Sequence, residues 1–156
     1  MNHYRLTGII LDETSGGIRN TQVEQEREVA IHDLLEKNFF RLKSSPGGPY
    51  HLTLGVAEGR LVLAVNLENG APHGKVMLSL TPFRSVIRDY FLICDNYYKA
   101  IRTSPPQQIE ALDMGRRALH DEGSTLLKKR LEGKIETDFD TARRLFTLIC
   151  VMHLKG

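Results

Sequence analysis

Residues 51–80 read HLTLGVAEGRLVLAVNLENGAPHGKVMLSL, and their two-residue period decides the fold class. Leu52, Leu54 and Val56 alternate with His51, Thr53 and Gly55. Leu61, Leu63, Val65 and Leu67 share one face of the next strand, and Val76, Leu78 and Leu80 share one face of a third. Glu58-Gly59 and Asn69-Gly70 separate the runs, and Asn-Gly favours a hairpin because both residues tolerate positive φ. Alternation of this kind predicts an antiparallel meander with one face packed and one face more polar.

Upstream, residues 4–11 read as a strand, ended by Asp12 and the loop Ser15-Gly16-Gly17. Thr21-Gln22-Val23-Glu24 has the spacing of a capping box, in which each polar side chain satisfies a free backbone donor of the first turn. Val23, Ala30, Ile31, Leu34 and Leu35 then recur at helical spacing to about Lys37. Residues 39–43 make a short strand, and Ser44-Ser45-Pro46-Gly47-Gly48-Pro49 is a loop.

Downstream the period changes to that of helices. Thr81 as cap and Pro82 in the first turn open a helix to about Arg102. Arg84, Arg88, Asp95, Lys99 and Arg102 form its polar stripe, with Phe83, Val86, Ile87, Tyr90, Ile93, Cys94, Tyr97 and Ile101 opposite. Ser104-Pro105-Pro106 caps the next helix, expected to end near Gly123. Its apolar side uses Ala111, Leu112, Gly115, Ala118 and Leu119, small enough for a neighbour to approach closely. A short helix over 124–132 should stop at Gly133, and Thr137 or Asp138 starts the last helix, DFDTARRLFTLICVMHL. That helix holds Arg143 and Arg144 at the surface and drives Phe146, Ile149 and Met152 into a core. The expected fold is therefore α+β over one domain, 1–156. About four to five strands form an antiparallel meander against several C-terminal helices, with one helix inserted after the first strand.

Composition is that of an ordinary globular chain, 41% apolar and 26% charged. Net charge is +2, too near balance for a nucleic-acid footprint. Residues 1–80 carry 8 Lys/Arg against 9 Asp/Glu and residues 81–156 carry 13 against 10. The densest cluster, Lys128-Lys129-Arg130, reads as a solvated helix face. No apolar run follows Met1 as in a secretory signal, and runs such as 148–152 fall far short of the ~20 residues that span a bilayer. Cys94 and Cys150 each sit in an apolar helical pattern and read as small buried hydrophobes in a reducing cytoplasm. No membrane association is expected.

The most suggestive polar set lies on the helix after Pro105. Asp113, Arg116, Arg117 and His120 share one side at i, i+3, i+4 and i+7, with Glu122 just beyond. If Arg143 and Arg144 come near, four guanidinium groups surround an imidazole that Glu122 could orient. Such a set suits a carboxylate or phosphate, since guanidiniums present paired donors. His120 would then exchange a proton near neutral pH. The plainer reading is a solvated face with i,i+4 ion pairs.

Glu28, His32 and Glu36 offer three ligand types on one helix face, but no second His/Glu pair completes a metal site, so exposed ion pairing is expected. Ser15-Gly16-Gly17 lacks the Gly-Lys-Ser/Thr step of a phosphate-cradling loop and reads as a turn. His153 shares a wheel face with Phe146, Ile149 and Met152 and reads as a core histidine. No Gly-x-Ser-x-Gly elbow supports a nucleophilic triad. No cofactor and no metal is expected.

The chain resembles uncharacterised protein family 0262, a family of short bacterial proteins. The match rests on Ser79-Leu80-Thr81-Pro82-Phe83-Arg84, Asp113-Met114-Gly115-Arg116-Arg117, Leu119-His120 and Glu122-Gly123-Ser124. Gly133-Lys134-Ile135-Glu136 and the run from Asp138 through Phe139-Asp140-Thr141-Ala142-Arg143-Arg144-Leu145-Phe146-Thr147 to Leu148 complete it. The resemblance implies a bacterial, cytoplasmic protein and supplies no catalytic residue. Three functional expectations follow from the residues, in descending order. The first is a non-catalytic binding module acting through a protein partner or a homodimer. The second is a small enzyme or sensor for an anionic metabolite using Arg116, Arg117, His120, Glu122, Arg143 and Arg144. Nucleic-acid binding through residues 128–130 comes last.

Overall fold

The structure is a computed structural model that describes residues 3–12 and 21–152. The Ser15-Gly16-Gly17 loop, the Thr21 side chain and His153 lie outside that description.

The meander forms as its alternation requires. The elements follow in the order β1 (Leu6–Asp12), α1 (Thr21–Glu36), β2 (Phe40–Leu42), β3 (Tyr50–Ala57), β4 (Arg60–Leu67), β5 (Pro72–Ser79), α2 (Arg84–Thr103), α3 (Pro106–Leu131), β6 (Ile135–Thr137) and α4 (Phe139–Met152). Four strands make one sheet in the order β1-β3-β4-β5, while β2 and β6 pair as a separate ribbon. Strands β3, β4 and β5 are antiparallel neighbours, so the α+β expectation stands. The larger sheet is nevertheless mixed, because β1 joins it parallel to β3. Parallel neighbours need a long crossover, and residues 13–49 with α1 supply it.

The turns differ in kind. Glu58 (φ 54°) and Gly59 (φ 74°) form a two-residue loop with both residues left-handed, the geometry that matches strand twist. In the Asn69-Gly70 turn only Gly70 adopts positive φ. Asn69 instead accepts the Ala71 amide on Oδ1 at 2.9 Å, which spreads the connection over four residues.

Tyr50, Leu52, Leu54, Leu61, Leu63, Val65, Val76, Leu78 and Leu80 line the inner face and are buried. A register shift between Leu6 and Gly8 changes which side β1 presents, so Leu6 and Leu11 are both buried although they differ in parity. Ile10 consequently turns outward, 65% exposed, and Met77, 48% exposed, lies on the same face at the opposite edge of the sheet.

The helices depart from expectation at their ends. Thr81 is not a cap. It lies inside a short 3₁₀ turn, Thr81–Phe83, which leads directly into α2 without a side-chain cap. Residues 124–132 form no separate helix, because α3 runs unbroken through Gly123 for 26 residues. The reason is packing: a Cβ on Gly123 would lie 2.1 Å from Cζ of Phe146, so glycine admits the ring of α4 against the α3 backbone. Gly115 plays the same part toward Ile93 of α2, whereas Ala111 and Ala118 face solvent. Asp138 does cap α4, its Oδ1 accepting the Thr141 amide at 2.9 Å.

Helix α4 sits between α1 and α3, and α2 packs on the far side of α3. Phe146, Ile149 and Met152 are buried. Asn38 ties the end of α1 to β1 by accepting the Leu6 amide at 2.7 Å and donating to the Leu6 and Leu34 carbonyls. No helix among the described residues is long and apolar enough to cross a membrane.

Candidate functional site

All four helices contribute to a cleft of about 440 Å³. Helix α1 supplies Gln25, Glu26, Val29 and Ala30; α2 supplies Tyr90; α3 supplies Arg116, Arg117 and His120; α4 supplies Arg143 and Thr147. Four of the six residues expected from spacing are therefore brought together. Glu122 and Arg144 are not among the cleft residues. Glu122 is exposed on α3, and Arg144 donates to the Asp140 carbonyl within its own helix at 3.4 Å.

Asp113 organises the α3 cations. It pairs with Arg116 and, through Oδ2, with Nε of Arg117 at 3.1 Å. The Arg116 hydrogen bond is the main reason the Asp113 carboxyl sits below its ordinary pKa. The Arg116 guanidinium also lies over the Tyr97 ring at 4.9 Å, a cation–π arrangement. Among the described residues its Nε, which is buried, has no hydrogen-bond partner. Burial opposes the charge on Arg116, but Asp113 and Tyr90 outweigh it and raise the pKa further. Across the cleft, Nε of Arg143 lies 3.5 Å from Asp121, and Asp140 stands 3.9 Å from its Nη1. Arg117 and Arg143 have side chains 72% and 44% exposed, so their ion pairs lie open to solvent and to an incoming anion.

His120 occupies the floor and is only 8% exposed. Tyr90 and Phe146 flank its ring edge-to-face, with centroids at 5.3 and 5.2 Å. Nε2 lies 2.7 Å from Oγ1 of Thr147, whose own hydroxyl donates to the Arg143 carbonyl at 3.2 Å. Because Thr147 has committed its hydrogen, the proton of the neutral ring belongs on Nε2, which donates. Nδ1 faces the Ser124 hydroxyl at 3.4 Å. Burial, then the charges of Arg143 and Arg116, lower the imidazole pKa to about 4. At neutral pH the ring is uncharged, with both nitrogens directed at protein hydroxyls.

Glu26 was not legible as a site residue, nor were Tyr90 and Thr147. Tyr98 donates to Oε1 of Glu26 at 2.7 Å, and burial followed by this bond raises the Tyr98 phenol pKa. Among the described residues Glu26 has no ion-pair partner.

The other sequence candidates resolve simply. His32 pairs with Glu36 at 3.2 Å, both side chains exposed, and the third nearby acid is Asp33 instead of Glu28. Lys128, Lys129 and Arg130 occupy the last turn of α3, where cations complement the helix dipole. Cys94 and Cys150 are free and buried, and burial raises both thiol pKa values.

A sheet covered on one face by four helices, with an arginine-lined cleft among those helices, defines a small α+β protein with a cationic pocket. The chain belongs to the Uncharacterised protein family (UPF0262), whose model matches residues 3–155. It is 57% identical over 154 residues to a UPF0262 protein of Azorhizobium caulinodans, covering 97% of this chain and 95% of that one. A UPF0262 protein of Caulobacter vibrioides is 56% identical over 154 residues (99% and 96%), and one of Nitrobacter winogradskyi 52% over 155 residues (99% and 93%). The names of these bacterial relatives state no activity. No solved structure matches the chain.

Proposed function

We propose that this protein is a cytoplasmic, non-catalytic binding protein for a small anion of the carboxylate or phosphate class. The supporting observation is the convergence of Arg116, Arg117 and Arg143, from two helices, on one cleft. Guanidiniums grip such anions through paired, charge-assisted hydrogen bonds. Binding is favoured over proton transfer because His120, at a pKa of about 4, is a weak base near neutrality and its Nε2 proton is engaged by Thr147. Two free, buried cysteines support a reducing compartment.

The test is a thermal-shift and calorimetric screen with inorganic phosphate and a panel of mono- and dicarboxylates. A true ligand at a hundredfold excess over its Kd stabilises the fold by about 2.7 kcal/mol. An Arg117→Ala/Arg143→Ala variant is expected to bind at least about tenfold more weakly, given ~1.5–3 kcal/mol for hydrogen bonds to charged groups. Equal response of parent and variant rejects the assignment.

A second reading, docking of a protein partner or a second copy, draws support from Ile10 and Met77, two large apolar side chains exposed at the two edges of one sheet face. Light scattering should then show a dimer that Ile10→Lys/Met77→Lys returns to monomer. A monomeric parent removes the homodimer.

A further inference from the structure

We infer that the anion held in this cleft also carries an ammonium group, so that the ligand class is zwitterionic, of the amino-acid type. The inference rests on the anion-binding reading and narrows it. A pocket selected only for negative charge has no use for a carboxylate in its wall, yet Glu26 lines the same cleft as Arg117 and Arg143.

Three features make Glu26 a receptor group instead of a counter-ion for the arginines. The arginines already have carboxylates of their own: Asp113 serves Arg116 and Arg117, and Asp121 serves Arg143. Glu26 has no ion pair among the described residues. Its Oε1 is held by the Tyr98 hydroxyl at 2.7 Å, which fixes the carboxylate while leaving Oε2 without a hydrogen bond among the described residues. A phenol donor orients the group and adds no positive charge, so its charge stays available to a cation.

The cleft thus has two poles. Helix α1 contributes the negative one, Glu26, and α3 and α4 contribute the positive one. Val29, Ala30 and Tyr90 line the same cleft and supply apolar contact for a carbon skeleton. A molecule that carries both a carboxylate and an ammonium on a short carbon skeleton satisfies both poles at once. A simple dicarboxylate or phosphate meets Glu26 with a like charge, and a hydroxylated anion offers it only a neutral donor.

Matched pairs decide the matter: aspartate against succinate, glutamate against glutarate, phenylalanine against 3-phenylpropionate, each titrated calorimetrically into the full chain. For at least one pair the amine-bearing member should bind at least about tenfold more tightly, the scale of one charge-assisted hydrogen bond. Glu26→Gln keeps an acceptor for Tyr98 and should abolish that preference while retaining the deaminated member. Tyr98→Phe, which frees the carboxylate to move, should shrink the preference without reversing it, and covers the case in which Glu26→Gln melts early. If both members bind equally and Glu26→Gln changes neither, the zwitterion assignment is overturned and the anion site survives. If inorganic phosphate or glycerol phosphate outcompetes every amine, the assignment is likewise overturned. If nothing binds, the anion reading itself fails.

Discussion

Replacing Phe146 with Ala should lower the unfolding free energy by about 3–5 kcal/mol, a large share of the ~5–15 kcal/mol available to a domain of this kind. The ring is fully buried, lies against the α3 backbone at Gly123, and contacts the rings of Tyr90 and His120. Its loss leaves a void at the junction of three helices. The reciprocal change is sharper in sign. Ala is the better helix former by about 1 kcal/mol, so Gly123→Ala should stabilise an exposed helix. Here the new Cβ would lie 2.1 Å from Cζ and 2.5 Å from Cε1 and Cε2 of Phe146. The ring is fully buried against Tyr90 and His120, so it has little room to withdraw, and overpacking costs about 1–3 kcal/mol or more. Gly123→Ala is therefore expected to be net destabilising, and Phe146→Leu in the same chain should recover part of the loss. Urea denaturation followed by circular dichroism reads all three variants. A raised midpoint for Gly123→Ala would show that the helices do not meet there.

Acidification gives the second large effect. His120 titrates at about 4 in the folded chain against an ordinary 6.5. For a base with a depressed folded pKa, the unfolded chain binds the proton first, so stability is full above 6.5 and falls as pH drops toward 4. At about 1.4 kcal/mol per unit of pKa difference, the loss approaches ~3 kcal/mol. Asp113, itself lowered from 3.8, titrates below this window and does not mask it. The charges facing the ring are Arg143 and Arg116, which oppose the proton, and Asp121, which favours it. Urea midpoints at pH 7.5, 6.5, 5.5 and 4.5 should trace the decline. His120→Gln should flatten most of it, and Arg143→Gln should move it toward lower stability loss. A midpoint that stays level between pH 6.5 and 4.5 in the parent would contradict a buried, neutral imidazole.

What could be read from the residues followed from local rules. Alternation in 51–80 located β3, β4 and β5, and a 3.6-residue period located α1 through α4 and the shared side of Asp113, Arg116, Arg117 and His120. Non-local facts were out of reach. Strand β6 is three residues long and exists because Ile135 and Thr137 pair with Leu42 and Phe40. The parallel seat of β1 depends on a crossover whose direction no periodicity encodes. Gly123 read as a terminator because isolated glycine weakens a helix, whereas its purpose is contact with a ring 23 positions later in the chain. Arg143 could be suspected from the charged end of α4, but Glu26 enters the cleft only because α1 lies against that helix. Packing between distant segments, not spacing within one, chooses the members of the cleft.

The ribbon formed by β2 and β6 has a consequence for how the molecule is made. Phe40 and Leu42 have no strand partner until residues 135–137 exist, and α1 packs against a helix that begins at Phe139. During synthesis the first third of the polypeptide therefore emerges from the ribosome with its apolar side chains unsheltered. Strand β1 can pair with β3 once residues 50–57 emerge, but β2 and α1 must wait for residues beyond 134. Late-arriving residues act as the keystone, and a chain released short of α4 should be met by chaperones and proteases.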